Sequence, residues 1–366
     1  MQTNLSEAAK KLPRAEEAES ILRSCVHCGF CNATCPTYQL LGDELDGPRG
    51  RIYLMKQMFE GGEVTEATQT HLDRCLTCRN CETTCPSGVQ YHNLLDIGRD
   101  FMEQQVPRSA GERLLRTGLR TVIPRPGLFK ALLGAGNTLR PLMPATLKAH
   151  MPRQVTPAKP RPQTVHARRV LILEGCVQPS LSPNTNAATA RVLDRLGISG
   201  AFIKDYGHLL RNDPTYATKA ARVSALTKDL VEVMRSAELE RLKVETDKRM
   251  AFHCPCTLQH AQKLGGAVED VLTRLGFHLT AVPDAHLCCG SAGSYSITQP
   301  EISHQLRDNK LNALESGKRA VTHIESIDRR EHENQSHADP DRSDRHPGRR
   351  AQRSAEQRLG RNHRGR

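Results

Sequence analysis

Apolar positions along this chain come in short, separated packets, and their spacing changes along its length. In Arg51-Ile-Tyr-Leu-Met-Lys-Gln-Met-Phe59 they recur at helical intervals, which predicts a helix with Met55 and Met58 turned into a core. Leucine-rich pieces follow at Arg113-Leu-Leu-Arg116 and Gly127-Leu-Phe-Lys-Ala-Leu-Leu133, punctuated by Pro124, Pro126, Pro141 and Pro144. The stretch from Pro152 to Pro162 reads as a linker. Next comes a strand-like run, Arg169-Val-Leu-Ile-Leu-Glu-Gly-Cys176, then a helical stretch closing with Val192-Leu-Asp-Arg-Leu-Gly197. About eighty residues on, Arg249-Met-Ala-Phe-His-Cys-Pro-Cys256 leads to Val271-Leu-Thr-Arg-Leu-Gly276. Strand, cysteine, helix and an Arg-Leu-Gly ending recur in order, which predicts an internal duplication of one β–α unit. The second copy continues from His278 to Cys288-Cys289-Gly290, whereas the first runs from Ile198-Ser199 into Gly200-Ala-Phe-Ile-Lys-Asp-Tyr206 without such a triplet. Adjacent cysteines followed by glycine suit a tight site, since glycine lets backbone approach while both thiols face one cofactor.

Composition sharpens this division. The 366 residues suffice for two or three domains, and with aromatics at 4% and no tryptophan the core is expected to be mostly Leu, Val, Ala and Cys. The formal charge of +12 is unevenly placed: from Arg113 to Leu173 there are twelve Lys or Arg and no Asp or Glu. Such basic amphipathic pieces can lie on an anionic membrane face, dock an acidic partner, or form a solvated linker with short packing helices. No aromatic stacking pattern accompanies the charge, so nucleic acid is not an expected partner. No apolar run approaches the ~20 residues of a transmembrane helix. The polar N-terminus has no export signal, so a cytoplasmic location is expected, at most peripheral on the inner face of the cell membrane. From Arg319 to Arg366 there is no cysteine, aromatic or lysine, but twelve arginines and five histidines. That abrupt composition predicts disorder, and suits a segment read in a shifted frame of a GC-rich gene or, alternatively, a basic tail for an acidic partner.

Thirteen cysteines in an unexported chain point to metal ligation rather than disulfides. Cys25-x2-Cys28-x2-Cys31-x3-Cys35-Pro36 recurs as Cys75-x2-Cys78-x2-Cys81-x3-Cys85-Pro86. Three closely spaced thiolates wrap one side of a cubane, and in two-cluster ferredoxins the fourth ligates the other cluster. The expected ligands are therefore Cys25, Cys28, Cys31 and Cys85 for one 4Fe-4S cluster, and Cys75, Cys78, Cys81 and Cys35 for the other. Cys-x2-Cys pairs also build zinc sites, but those place two pairs about a spacer rather than four cysteines in one run, twice. Pro36 and Pro86 are expected to give a sharp exit from each loop. His27 reads as a loop residue beside a cluster, His253 and His286 as hydrogen-bond donors or packing groups, and Arg74 and Arg79 as charges offsetting a cluster or as surface charge.

Taken with Gly42-Asp-Glu-Leu-Asp-Gly-Pro-Arg-Gly-Arg51, Leu181-Ser-Pro-Asn-Thr-Asn186, Phe252-His-Cys-Pro-Cys-Thr-Leu-Gln-His260 and His286-Leu-Cys-Cys-Gly-Ser-Ala-Gly293, these runs resemble the glycolate oxidase iron–sulfur subunit family over residues 1 to about 318. The resemblance implies an α+β chain: an N-terminal helical ferredoxin-type domain carrying two 4Fe-4S clusters, then two α/β cysteine-rich domains of the Cys-Cys-Gly type. By position Cys176 would be the early cysteine of the first, Cys256, with Cys254 beside it, that of the second, and Cys288 and Cys289 the central pair. The first cysteine-rich domain is incomplete, lacking some tens of residues after Ser199, and a lone Cys176 cannot assemble a cluster. A further iron–sulfur centre is expected only around Cys254, Cys256, Cys288 and Cys289. The implied boundaries are 1–105, 106–168 (connector), 169–245, 246–318 and 319–366 (tail). The implied function is electron transfer from flavin-containing subunits that oxidise glycolate to glyoxylate, toward a quinone or another membrane acceptor. Rivals within the architecture are lactate-utilisation, glycerol-3-phosphate dehydrogenase and heterodisulfide reductase-like systems.

Overall fold

Short helices dominate the described residues because proline, glycine and cysteine interrupt them at close intervals. In the computed structural model the N-terminal part places helices at Ala15–Ser24, Phe30–Ala33, Pro36–Leu41, Pro48–Phe59, Glu66–Asp73, Asn80–Thr84 and Tyr91–Gln105. Proline stands at the first position of Pro36–Leu41 and Pro48–Phe59, where its missing N–H costs nothing and its fixed φ suits the helix. Pro36 thus starts a helix at once, while Pro86 sits in a turn, so the two loops leave differently. The described residues are 1–144, 155, 157–164, 166–170, 177–196, 198–199, 213–247 and 249–316. Cys176, most of the strand expected over 169–176, and the tail 319–366 lie outside them.

The first core packs Leu22, Ile52, Met55, Met58, Leu72, Leu94, Leu95 and Met102 around the touching rings of Phe59 and Phe101, 5.5 Å apart. Leu, Val, Ala and Cys make up most of the buried apolar residues, as expected, with methionine and aromatic side chains added at the centre of this first core. Methionine fills the irregular space between short helices, and aromatic residues, scarce in the chain, gather where helix Pro48–Phe59 meets Tyr91–Gln105.

Next come helices Ala110–Val122 and Pro126–Leu139, the former capped by Ser109, whose hydroxyl accepts from the Glu112 amide. Neither helix buries a residue. Residues 157–164 are exposed except at 162, without regular structure, as a proline-rich linker requires.

The duplicated unit is visible in the backbone. Strand Arg168–Arg169, helix Pro183–Arg195 and strand Ile198–Ser199 form one parallel crossover, with Arg168 beside Ile198. Strand Arg249–Met250, helix Ala267–Arg274 and strand His278–Leu279 form the other, with Arg249 beside His278. In each copy the Arg-Leu pair ends the helix just before the second strand. The strands are two residues long, shorter than the run Arg249–Cys256 predicted, because the chain turns from Cys256 into a single π-helical turn, Thr257–Ala261. Helix Pro300–Glu315 then packs back, burying Ile302, Leu306, Leu311 and Leu314. All described residues belong to one compact unit.

Candidate metal centres

The two cysteine runs fold alike, down to the backbone dihedrals. His27 and Thr77, two residues after the first cysteine of each run, have φ of 58° and 54°, and Gly29 and Arg79, just after the second, have 86° and 63°. The left-handed conformation costs a non-glycine residue about 1–2 kcal/mol. Such strain is tolerated where turning the chain inward brings three thiols to one face. Gly29 and Arg79 each begin the short helix carrying the third cysteine, Phe30–Ala33 and Asn80–Thr84. These helices lie side by side: Asn80 Nδ2 donates to the Thr34 carbonyl (2.9 Å) and the Thr84 hydroxyl to that of Thr34 (3.2 Å).

Two cavities flank this seam. One, enclosing about 430 Å³ with its open mouth, is lined by Cys25, Cys28 and Cys31 of the first run and Cys85 of the second. The other, of about 370 Å³, is lined by Cys75, Cys78 and Cys81 with Cys35 of the first. Cys81 reaches both. Each cavity therefore gathers at least four soft sulfur donors and no carboxylate, a donor set that fits an iron–sulfur cubane. Burial pushes the Cys31 thiol up to about 11 and the Cys78 and Cys81 thiols well up, so these sites favour neutral thiols until a metal replaces the protons. Cys28 is the exposed thiol of the first group.

Hydrogen-bond donors surround the second group. Cys75 Sγ accepts from the Tyr91 hydroxyl (3.7 Å) and the Thr77 amide (3.5 Å), and Cys35 Sγ shares a hydrogen bond with Thr37 Oγ1 (3.2 Å). Behind Thr37 stands a buried charge network that sequence reasoning quoted only as connecting sequence. Arg51, 1% exposed, reaches Asp46 Oδ1 (3.3 Å), Thr37 Oγ1 (3.2 Å) and the His71 carbonyl (2.7 Å). Arg74 Nη1 holds the other Asp46 oxygen at 2.8 Å, and His71 Nδ1 lies 3.1 Å from Oδ1. Arg74 and Arg79 are thus ion-paired, Arg79 with Glu82 at 3.0 Å, rather than free surface charge. His27 packs edge-on against Tyr53.

Of the five further cysteines, three come together. Cys256 and Cys289 both hydrogen-bond Cys288: the bond with Cys256, and then burial, raise the Cys288 thiol to about 12, while the bond with Cys289 works the other way. Cys289 is raised to about 12 by Cys288 and then by burial, while a hydrogen bond from His253 lowers it. Cys254 lies elsewhere, packed with Val231, Leu239, Leu258 and Val271, and burial raises it to about 11.

The trio abuts the second cysteine run. Cys78 lies close enough to Cys288 for their charges to interact, and Leu76, Cys78, Cys256, Cys288, Tyr295 and Leu306 form one apolar cluster. Polar contacts lock the two surfaces. The Tyr295 hydroxyl donates to the Arg74 carbonyl (2.9 Å), and Asn80 Nδ2 to that of His286 (3.2 Å). His260, held neutral by burial, donates from Nε2 to the His286 carbonyl (3.0 Å), so its Nδ1 accepts from the Thr83 hydroxyl (3.2 Å). His286 contributes its backbone rather than its ring to these bonds. Asn80→Ala removes donors from two carbonyls at once and should cost about 1–3 kcal/mol, read as a lower melting temperature and faster proteolysis of the cysteine-rich half.

Comparison with known proteins agrees with this geometry. Residues 21–89 match the 4Fe-4S dicluster domain and residues 250–326 the cysteine-rich domain. The chain is 59% identical to the glycolate oxidase iron-sulfur subunit of Escherichia coli (strain K12), covering 87% of this chain and 91% of that one. That alignment runs over 370 positions but takes up about 318 of this chain's 366 residues, so roughly 50 positions of the relative have no counterpart here. The probable glycolate oxidase iron-sulfur subunit of Bacillus subtilis (strain 168) is 27% identical over 83% of this chain and 86% of its own. Lactate utilization protein A of Geobacillus thermodenitrificans (strain NG80-2) is 34% identical over 33% of this chain and 52% of its own. No solved structure matches. The cysteine runs, the duplicated unit with one Cys-Cys-Gly, and this likeness along most of both chains have one reading: the protein belongs to the glycolate oxidase iron–sulfur subunit family.

Proposed function

We propose that the chain is the electron-transfer subunit of a glycolate-oxidising complex, with Cys25, Cys28, Cys31 and Cys85 holding one 4Fe-4S cluster and Cys75, Cys78, Cys81 and Cys35 the other. One observation carries the assignment: each cavity gathers the first three thiols of one run together with the last thiol of the other, Cys85 in the first and Cys35 in the second. When bound, clusters of this type accept and release single electrons. The chain's own part is to hold the two thiol groups side by side, exclude water from the second, and aim the Thr77 amide and Tyr91 hydroxyl at Cys75 sulfur. Donors to sulfur favour the electron-rich state and raise the reduction potential. The first group opens to solvent at Cys28, the end an electron-donating partner can reach. The second is covered by the Cys256, Cys288 and Cys289 trio, which supplies part of a ligand set for a further iron–sulfur centre.

The chain carries no G-x-G-x-x-G dinucleotide motif, so substrate chemistry belongs to flavin-containing partner subunits, and a quinone or another membrane acceptor at the inner face of the cell membrane takes the electrons. No helix among the described residues is long and apolar enough to cross a membrane.

Paired substitutions test the crossed assignment. Anaerobically prepared chain should hold about eight iron atoms in its two cubanes. The double variant Cys25→Ser with Cys85→Ser strikes one group only and should keep about half. If iron instead falls toward zero in that variant, while Cys25→Ser with Cys35→Ser keeps half, each run holds its own cluster and the crossed reading is wrong. With the partner subunits present, dye reduction that glycolate drives and lactate does not would support the substrate assignment, and the reverse would transfer it to lactate.

A further inference from the structure

Helix Ala110–Val122 faces the wrong way for a helix of a soluble monomer. One of its cations is turned to the protein: Arg116 reaches Asp73 (3.1 Å) and Glu112 (3.0 Å), beside Arg108, which also binds Asp73 (2.6 Å) and Glu112. Leu114 and Leu115 lie away from those bonds, and Leu114 is 74% exposed. The next helix also exposes leucines. Leu128, Leu132 and Leu139 of Pro126–Leu139 fall within one narrow stripe at 3.6 residues per turn, all three exposed, and Leu142 just beyond is 84% exposed. A surface helix ordinarily turns its apolar stripe to the core, yet neither of these helices buries a single residue. Scattered exposed leucines need no explanation, but five on two consecutive helices with Leu142 just beyond form a group that does.

The charges around the patch select what covers it. Arg113, Arg120, Arg125 and Lys130 are exposed, and no carboxylate pairs with any of them among the described residues. From Arg113 to Leu173 the sequence holds twelve cations and no acid. A protein partner would be met by charges of both signs in a defined pattern. A long one-signed segment suits a diffuse negative surface, and leucines beside arginines suit the boundary between headgroup and acyl chain.

We propose that helices Ala110–Val122 and Pro126–Leu139 are a membrane-docking surface, with Leu114, Leu128, Leu132 and Leu139 entering the interface of an anionic phospholipid layer and Arg113, Arg120, Arg125 and Lys130 on its headgroups. The proposal deepens the membrane-acceptor reading above, and rests on it only for its physiological sense. The pairing of Arg116 and Arg108 with Asp73 fixes the surface to the helix that ends one residue before Arg74 and two before Cys75, so docking would set the height of the cysteine sites above the lipid.

The chain has no tryptophan, so Leu132→Trp in the full chain places one reporter on the patch. Its emission should shift to the blue on adding phosphatidylcholine vesicles containing phosphatidylglycerol, hardly at all with phosphatidylcholine alone, and high salt should reverse the shift. Adding Arg113→Gln, Arg120→Gln and Lys130→Gln should weaken partitioning about 100-fold, at about 1 kcal/mol per cation. Iron content, measured on the same samples, should not move, which separates failure of this surface from failure of the cluster reading. Absence of a blue shift with the anionic vesicles would overturn the proposal, whether or not the chain sediments with them by another surface. So would a shift produced by the partner subunits and not by lipid, which would make this a protein interface.

Discussion

Replacing Arg51 with methionine should lower the melting temperature of the N-terminal helical part by more than about 10 °C and make the second cluster site harder to reduce. Arg51 and Asp46 are both essentially buried, with side chains 1% and 0% exposed. A buried ion pair adds little over an apolar pair of the same shape, but removing one partner strands the other, at about 3–5 kcal/mol. For a domain of this size each kcal/mol moves the midpoint by about 4–8 °C. Arg74 and His71 would still face Asp46, so the effect should fall toward the lower end of that range. Thr37 and the His71 carbonyl would also lose a donor. Burial works against the Arg51 charge, but Cys75, Tyr91, Cys35 and Asp46 together hold its pKa raised. It is therefore a fixed positive charge beside two proposed cluster ligands, and a positive charge there favours the added electron. Arg51→Lys keeps the charge and loses the fork, so it should restore most of the potential and little of the stability. Unchanged melting and an unchanged potential in Arg51→Met would show that the network matters to neither.

The cysteine spacing made the first part of the molecule legible, because a thiol run is a local signal: the loop geometry that gathers Cys25, Cys28 and Cys31 is set within seven residues, and the same geometry recurs at Cys75. The Arg-Leu-Gly repeat was equally local, and in both copies its Arg-Leu closes a helix that leads to a parallel strand. What could not be read depends on distant partners. Tyr295 and Arg74, or Asn80 and His286, are separated by some two hundred residues and carry no mark of their meeting. The network of Asp46, Arg51 and Arg74 left a faint trace, a run of opposite charges between glycines in Gly42–Arg51, which only burial makes informative. The connector's amphipathic spacing was readable, yet nothing in it said that the leucine side would face outward. That follows from Arg116 finding Asp73 across the turn that leaves helix Tyr91–Gln105.

Gly290→Ala should disrupt the cysteine-rich half severely and at a stated place, the contact with helix Pro300–Glu315. The sequence reading gave this glycine to a close approach of backbone, and the backbone that approaches is that of helix Pro300–Glu315. Ser303 of helix Pro300–Glu315 donates from its hydroxyl to the Gly290 carbonyl (2.9 Å), and its own carbonyl oxygen would lie 2.4 Å from an added Cβ. Leu306 Cβ would lie at 3.0 Å. A backbone carbonyl inside a helix cannot turn aside, so the helix must move, and with it Leu306 and Ile302, which cover Cys288 and Cys256. The residue also has φ +80°, where alanine is strained by about 1–2 kcal/mol before any clash. Gly293 is the internal control, with φ +62° and nothing within 4 Å of its would-be Cβ. Gly293→Ala should therefore show the strain alone. Gly290→Ala should add a steric cost of about 1–3 kcal/mol and expose Cys288 and Cys289 to thiol reagents that reach them slowly in the parent chain. Equal melting temperatures and equal thiol reactivity in the two variants would mean that helix Pro300–Glu315 is not what the glycine in Cys-Cys-Gly accommodates.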